Sequence, residues 1–176
     1  MRFIDHRLYK QRNLTASSEA WFSQDQRYRY LIRRIWHNGT VDDEFSPRAM
    51  LFVMLNPSTA SAFDDDATLR VITGHAKRAG HDELLVANLF ALKSTDPRAL
   101  AGHPDPIGEL NDLVLAALPR VFTIVAWGDH PCARKRSEDV VQILSRPLHC
   151  LALTKSGAPH HPLRLSKSLN FQPWPS

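Results

Sequence analysis

Apolar and polar positions fall in blocks along this chain of 176 residues, and the blocks have two different periods. Four short apolar runs stand out: Leu51–Leu55, Leu84–Ala87, Phe122–Ala126 and Leu148–Leu153. A strand covered on both faces reads as an unbroken apolar run, so these four predict parallel strands of a buried sheet. Between them the period changes to that of a helix. Ala67–Ala79 puts Leu69, Ile72 and Ala76 on one face and stops at Gly80. Pro106–Leu118 places Leu110, Val114, Leu115 and Leu118 at helical spacing, and Ser137–Leu144 does the same with Val140, Val141 and Leu144. The order β-α-β-α-β-α-β predicts an α/β fold in three layers (α/β/α), with a four-stranded parallel sheet between the helices.

Upstream the pattern is less regular. Arg27–Trp36 is rich in strand formers and is read as an extra antiparallel strand, with Asn38-Gly39 turning the chain towards Leu51. Helix competes for the same run, because apolar and polar residues do not alternate cleanly in it. Residues 1–20 are polar and give no assignment, and Phe171–Ser176, with two prolines, reads as loop. No repeat or long linker divides the chain, so residues 1–176 form one domain with a core over about 27–170.

Composition narrows the class. Hydrophobic residues make up 43%, enough for a packed core, which excludes a disordered chain. No apolar run approaches the roughly 20 residues of a membrane span. MRFIDHRLYKQRN lacks the apolar core of a signal peptide, so a cytoplasmic protein is expected, with no membrane partner. Cys132 and Cys150 form no CxxC motif and suit a reducing compartment. The net charge of +4 permits a polyanionic partner without requiring one.

The chemistry gathers where the strands end. The first strand stops in Asn56-Pro57-Ser58-Thr59, and the second runs into Asn88-Leu89-Phe90. The third runs into Trp127-Gly128-Asp129-His130. The fourth meets Thr154-Lys155-Ser156-Gly157 and then His160–Ser166. Ligands of open α/β sheets bind beyond the carboxyl ends of the strands, so these endings predict one convergent site. Pro57 removes a backbone donor and holds Asn56 extended, which fixes the angle at which the chain leaves the sheet. Asn56 offers an amide that can orient water or a polar ring edge, or cap the following turn. An amide cannot serve as a general base at neutral pH.

The segments LNPSTA, DDDATLR, NLFALKSTDP, PIGELND, AWG and TKSGAPHHPLRL span Met50 to Leu165. Together they resemble a largely bacterial and phage family catalogued as domain of unknown function 1643, to which no reaction is assigned. A more distant resemblance is to the uracil-DNA glycosylases. Those proteins have an Asp or Asn before Pro after the first of four parallel strands, an Asn after the second, and a His-Pro motif ending in Leu-Ser. The corresponding residues here are Asn56-Pro57, Asn88 and His161-Pro162-Leu163-Arg164-Leu165-Ser166. The chain departs from that pattern at Met54-Leu55, where the glycosylases carry a Gly.

That second resemblance implies a glycosylase-like fold and a base-handling site whose chemistry is hydrolysis of an N-glycosidic bond. Asn56 would hold the attacking water, and His161 would polarise the base or its leaving charge. Asn88 would read a base edge, while Phe90 or Trp127 beside Gly128 would stack on it. Lys155 and Arg164 would contact phosphate, and Leu163 or Leu165 would wedge into a duplex. Ser58 and Thr59 belong to the same motif, and Arg70 would pair with Asp66 or hold a ligand anion. Nucleic acid or a nucleotide is the expected partner. Each residue also has an ordinary structural role open to it: a turn cap for Asn56, a loop brace for Asn88, core packing for Phe90, a structural or surface position for His161.

Two alternatives remain open on the residues themselves: an enzyme of small nucleotides or nucleobases, and a nucleic-acid reader without catalysis. No cofactor is called for. Asp64-Asp65-Asp66 offers only a weak Mg²⁺ site through Asp65 and Asp66, since three consecutive carboxylates do not converge from a regular element. Capping the helix that starts at Ala67 is their competing role. Asp129-His130-Pro131-Cys132 lacks a second ligand pair for zinc, and Ser58 with His161 lacks a nucleophile elbow.

Overall fold

The structure is a computed structural model that describes residues 5–13, 17–36, 44–59, 63–166, 168 and 170–175. The four apolar runs form the centre of the sheet. They appear as β4 (Ala49–Met54), β5 (Glu83–Asn88), β6 (Phe122–Val125) and β7 (His149–Cys150). These strands lie in the order β5-β4-β6-β7 and all run parallel. Ahead of them come β1 (Tyr9–Asn13), β2 (Ser18–Phe22) and β3 (Arg29–Ile35), and the short β8 (Gln172–Pro173) closes the chain.

The sheet therefore has eight strands in the order β1-β2-β3-β5-β4-β6-β7-β8. It is mixed: β1, β2 and β3 continue antiparallel from β5, and β8 pairs antiparallel with β7. This corrects the expected four-stranded, glycosylase-like parallel sheet. The parallel strands are present, but they are the inner half of a larger sheet. β3 settles the choice between strand and helix for residues 27–36, whereas the Asn38-Gly39 turn lies outside the described residues.

β1 escaped the apolar pattern because it is a largely exposed edge strand, and β2 because part of its burial is ionic. Glu19 on β2 is fully buried and accepts from Lys10, Arg12 and Arg33 at 2.6–3.0 Å. Arg33 on β3 reaches on to Glu83 of β5 at 2.9 Å, so one network crosses four strands. Charges buried in this way need partners on several sides, and the antiparallel register supplies them. Gln172 and Pro173 join the sheet through pairing with Cys150 and His149, where the prolines suggested only loop.

Helices cover both faces. α1 (Ala67–Arg78) packs Leu69, Ile72 and Ala76 against Met50, Phe52, Met54, Leu84 and Val86. The other face carries α2 (Arg98–Gly102), α3 (Asn111–Ala117) and α4 (Ala133–Leu144), whose Leu100, Val114, Leu115, Val140 and Leu144 join the second core cluster. α3 starts five residues later than its periodicity suggests. Gly108 holds a left-handed φ of +85° beside Tyr28, where a Cβ would come within 2.7 Å of the ring, so the helix cannot begin there. Among the described residues, no helix is long and apolar enough to cross a membrane.

Candidate functional site

A cavity of about 280 Å³ opens at the carboxyl ends of β4 and β5, beneath the first turn of α1. Its apolar walls are Ile32, Met54, Leu69, Ile72 and Val86. Its polar side brings together Arg29, Asn56, Ser58, Asp66, Asn88 and His161, from five separate stretches of chain. Asn56, Ser58, Asn88 and His161 were thus placed together by their positions after strand ends. The volume lies just below the ~300–1,000 Å³ usual for ligand pockets.

Each polar group is held differently. Asn56 donates from Nδ2 to the carbonyl of Ser94 at 2.9 Å and to that of Pro57 at 3.2 Å. The reverse donation, Ser94 N–H to the Pro57 carbonyl at 2.9 Å, stitches the two loops together. These bonds fix the amide's orientation and leave Oδ1 as its acceptor on the cavity. Asn88 is 4% exposed, and its carboxamide makes no hydrogen bond among the described residues. Its backbone is clamped from the opposite face: Asn111 donates to the carbonyls of Asn88 and Leu89, and Arg136 donates to Leu89 at 2.9 Å.

His161 accepts at Nδ1 from the Leu163 N–H at 3.3 Å, where it caps a short 3-10 helix over Pro162–Arg164. Nδ1 therefore carries no proton and the neutral ring carries one on Nε2. Burial, with His160 adding, pushes its pKa below the ordinary imidazole value, while Asp66 pulls the other way. At neutral pH the ring presents an N–H donor.

Asp66 caps α1, accepting from Leu69 N–H at 2.8 Å, and its second oxygen accepts from Ser58 at 3.3 Å. Asp65 pairs with Arg34 at 3.2 Å and Asp64 is exposed. The acidic run thus spends its members on a cap, an ion pair and solvent. Among the described residues, no three His, Cys, Asp or Glu side chains are grouped to hold a metal.

Arg29 was not a site candidate from sequence, and its place follows from a register shift. β2 and β3 pair Ala20 with Ile32 and Trp21 with Leu31, but Phe22 with Arg29, so Tyr30 is the extra residue. Such a bulge turns the preceding residues to the opposite face. Arg29 consequently shares the α1 side with Ile32, and both line the cavity. It is 5% exposed, and burial pulls its pKa down to about 10, with Arg34 lowering and Asp66 raising it. A shift in strand parity is invisible in composition, and only the broken alternation of RYRYLIRRIW hints at it.

The remaining candidates lie elsewhere. Trp127 is buried edge-on against Trp174, with centroids 5.3 Å apart, and with Gly128 it lines a second cavity of about 470 Å³. A Cβ at Gly128 would stand 3.7 Å from His161 Cβ, so a residue lining the second cavity is a neighbour of one lining the first. Phe90 is in the core. Thr59, Lys155 and Arg164 are exposed, and exposed Arg70 donates to the Asp65 carbonyl. Leu163 is also exposed, while Leu165 packs partly against the α1-side core. Cys150 is buried, and both cysteines are free thiols.

Fold and site together define an α/β protein with a small, mixed polar and apolar cavity at the carboxyl edge of its sheet. The family described as Protein of unknown function (DUF1643) matches residues 29–163, well over half of the chain, and the chain belongs to it. No curated protein and no solved structure matches it. The resemblance to uracil-DNA glycosylases thus gains no support from these comparisons, and the family carries no assigned activity.

Proposed function

We propose that this protein handles a nucleobase, free or carried by a nucleotide or nucleic acid, in the cavity beneath α1. The observation that carries the reading is Asn88. Asn88 lines the cavity, and its carboxamide has no protein partner among the described residues, so its donor and its acceptor are both open to a ligand. A ring edge with adjacent donor and acceptor atoms satisfies both ends of that amide. Asn56 Oδ1 adds an acceptor and His161 Nε2–H a donor. Ile32, Val86, Leu69 and Ile72 give the flat faces of such a ring an apolar surface to lie on. Arg29 and Asp66 carry opposite charges, so the cavity suits an uncharged ring.

Hydrolysis is a separate question from binding. Asn56 can orient a water but cannot deprotonate it, so an N-glycosidic step would need Asp66, whose oxygens are engaged by Leu69 and Ser58. The test is a thermal-shift and calorimetric screen of the five common bases, their nucleosides and modified analogues, run on the wild type and on Asn88→Leu. Binding of at least one base or nucleoside, weakened roughly tenfold or more by N88L, is expected. The absence of binding across the panel overturns the reading. Release of free base from a bound nucleoside or from modified duplexes would extend the function to hydrolysis.

A further inference from the structure

We propose that the second cavity, at the carboxyl end of β6, is a separate binding site for an uncharged, hydroxyl-bearing ring: a sugar, free or as the ribose of a nucleoside. It involves other residues than the base-handling reading and stands or falls on a different measurement.

Separate stretches of chain build this cavity. Residues 127–130 follow β6, the first turns of α4 stand beside them, residues 156–159 form a wall, and Trp174 comes from beyond β8. Backbone and side-chain bonds hold these pieces in place. Gly128 N–H donates to the Pro159 carbonyl at 2.9 Å, Ser156 Oγ to Asp129 Oδ2 at 2.7 Å, and Trp174 N–H to the Leu148 carbonyl at 2.9 Å. Gly157 has a left-handed φ of +84°, and nothing lies within 4 Å of where its Cβ would stand, so the loop leaves room instead of filling it. The resulting space of about 470 Å³ is within the ~300–1,000 Å³ usual for ligand pockets.

Trp127 carries the inference. It is 3% exposed, it lines the cavity, and its indole N–H has no acceptor among the described residues. A buried indole N–H ordinarily finds a partner, so this donor is open to an oxygen of a ligand. Trp174 meets Trp127 edge-on, but its own N–H is enclosed, so that indole serves as wall. Arg134, in the first turn of α4, adds further donors, since its guanidinium makes no ion pair or hydrogen bond among the described residues. Acceptors share the lining. Glu138, one turn on from Arg134, has no partner among the described residues, and Asp129 keeps Oδ1 beyond its bond from Ser156. An anion would answer the donors but face two carboxylates. An amine would answer the carboxylates but leave Trp127 and Arg134 without an acceptor. A hydroxyl donates and accepts, so a sugar ring satisfies both sets without bringing charge. Its C–H faces find apolar surface on the indoles, Ala158 and Pro159.

The experiment titrates the full chain with monosaccharides, nucleosides and free bases, beside inorganic phosphate and ethylamine, and follows heat and tryptophan fluorescence. Saturable binding of at least one sugar or nucleoside is expected. It should weaken about tenfold in Trp127→Phe, which keeps an aromatic ring and removes the N–H, with folding checked by the melting temperature. Arg134→Gln and Glu138→Gln, at exposed positions of α4, should each weaken it about threefold. If W127F does not fold, undiminished binding in both R134Q and E138Q overturns the site. W127F-sensitive binding of a free sugar assigns the site to sugars, and of nucleosides alone to the ribose; either supports it. Binding only of ligands that W127F leaves unaffected overturns the site and leaves the base pocket standing. W127F-sensitive sugar binding with no base bound keeps this site and removes the base reading. Phosphate or ethylamine binding more tightly than every sugar and nucleoside overturns the ligand class, and no binding at all overturns both readings.

Discussion

Arg33 and Arg29 sit on the same strand, four positions apart, and are almost equally buried at 2% and 5% exposure. Their surroundings differ completely. Arg33 bridges Glu19 and Glu83 at 3.0 and 2.9 Å, in a network that also draws in Lys10 and Arg12. Arg29 instead borders a cavity, with an amide that has no protein partner among the described residues. Burial by itself does not separate a structural charge from one kept for a ligand. What separates them is what stands beside the group: Arg33 is enclosed by carboxylates on the neighbouring strands, whereas Arg29 lines a cavity.

The comparison can be broken most sharply at Arg33. Arg33→Met takes the buried cation from between Glu19 and Glu83 and should destabilise the fold by ~3–5 kcal/mol in urea denaturation. A loss of under about 1 kcal/mol would mean that the network is not structural. The same network predicts an acid response. Burial raises the Glu19 carboxyl, but hydrogen bonds from Lys10, Arg33 and Arg12 together outweigh it and hold the pKa below the ordinary value. A depressed carboxylate stabilises the fold above about pH 4.5, and that contribution is lost as pH falls through the folded pKa. Glu19→Gln should therefore be less stable than wild type at neutral pH and show a shallower loss of stability below it; parallel curves would contradict the assignment.

On the cavity side the effects on folding are smaller. Asp66→Ala removes the α1 cap and should cost about 1 kcal/mol. For a chain of this size that is a fall of roughly 2–4 °C in melting temperature. An unchanged melting point would show that the cap contributes nothing. Asn88→Leu should change stability least, within ~0.5 kcal/mol or slightly upward, because it replaces a buried amide with no protein partner. A large destabilisation by N88L would place Asn88 among the structural groups with Arg33 and remove the basis for the cavity's function.

The inner sheet was legible because its strands are buried on both sides and read as apolar runs ending in Asn56 and Asn88. α1 was legible for a related reason, since Leu69, Ile72 and Ala76 keep a helical period into Gly80. β1 and β2 were not: YKQRN is a largely exposed edge strand, and SEAWF buries Glu19 against cations of the neighbouring strands, a pairing with no signature within a single strand. Trp127 looked available for stacking beside Gly128, but its partner Trp174 lies 47 residues away and only the fold brings them together. Asn111 read as the start of a helix, and it also clamps the end of β5 that carries Asn88.

The extra residue at Tyr30 sets the parity of everything before it on the strand. Deleting that single position would let β2 and β3 zip in even register through Phe22, with Ile32 and the ion network around Arg33 left as they are. Arg29 would then directly precede Leu31 and keep its place opposite Phe22, on the α1 side of the sheet. Such a deletion separates the bulge from the cation it positions: the shortened chain would lose the Tyr30 ring from the opposite core while keeping Arg29 at its pocket.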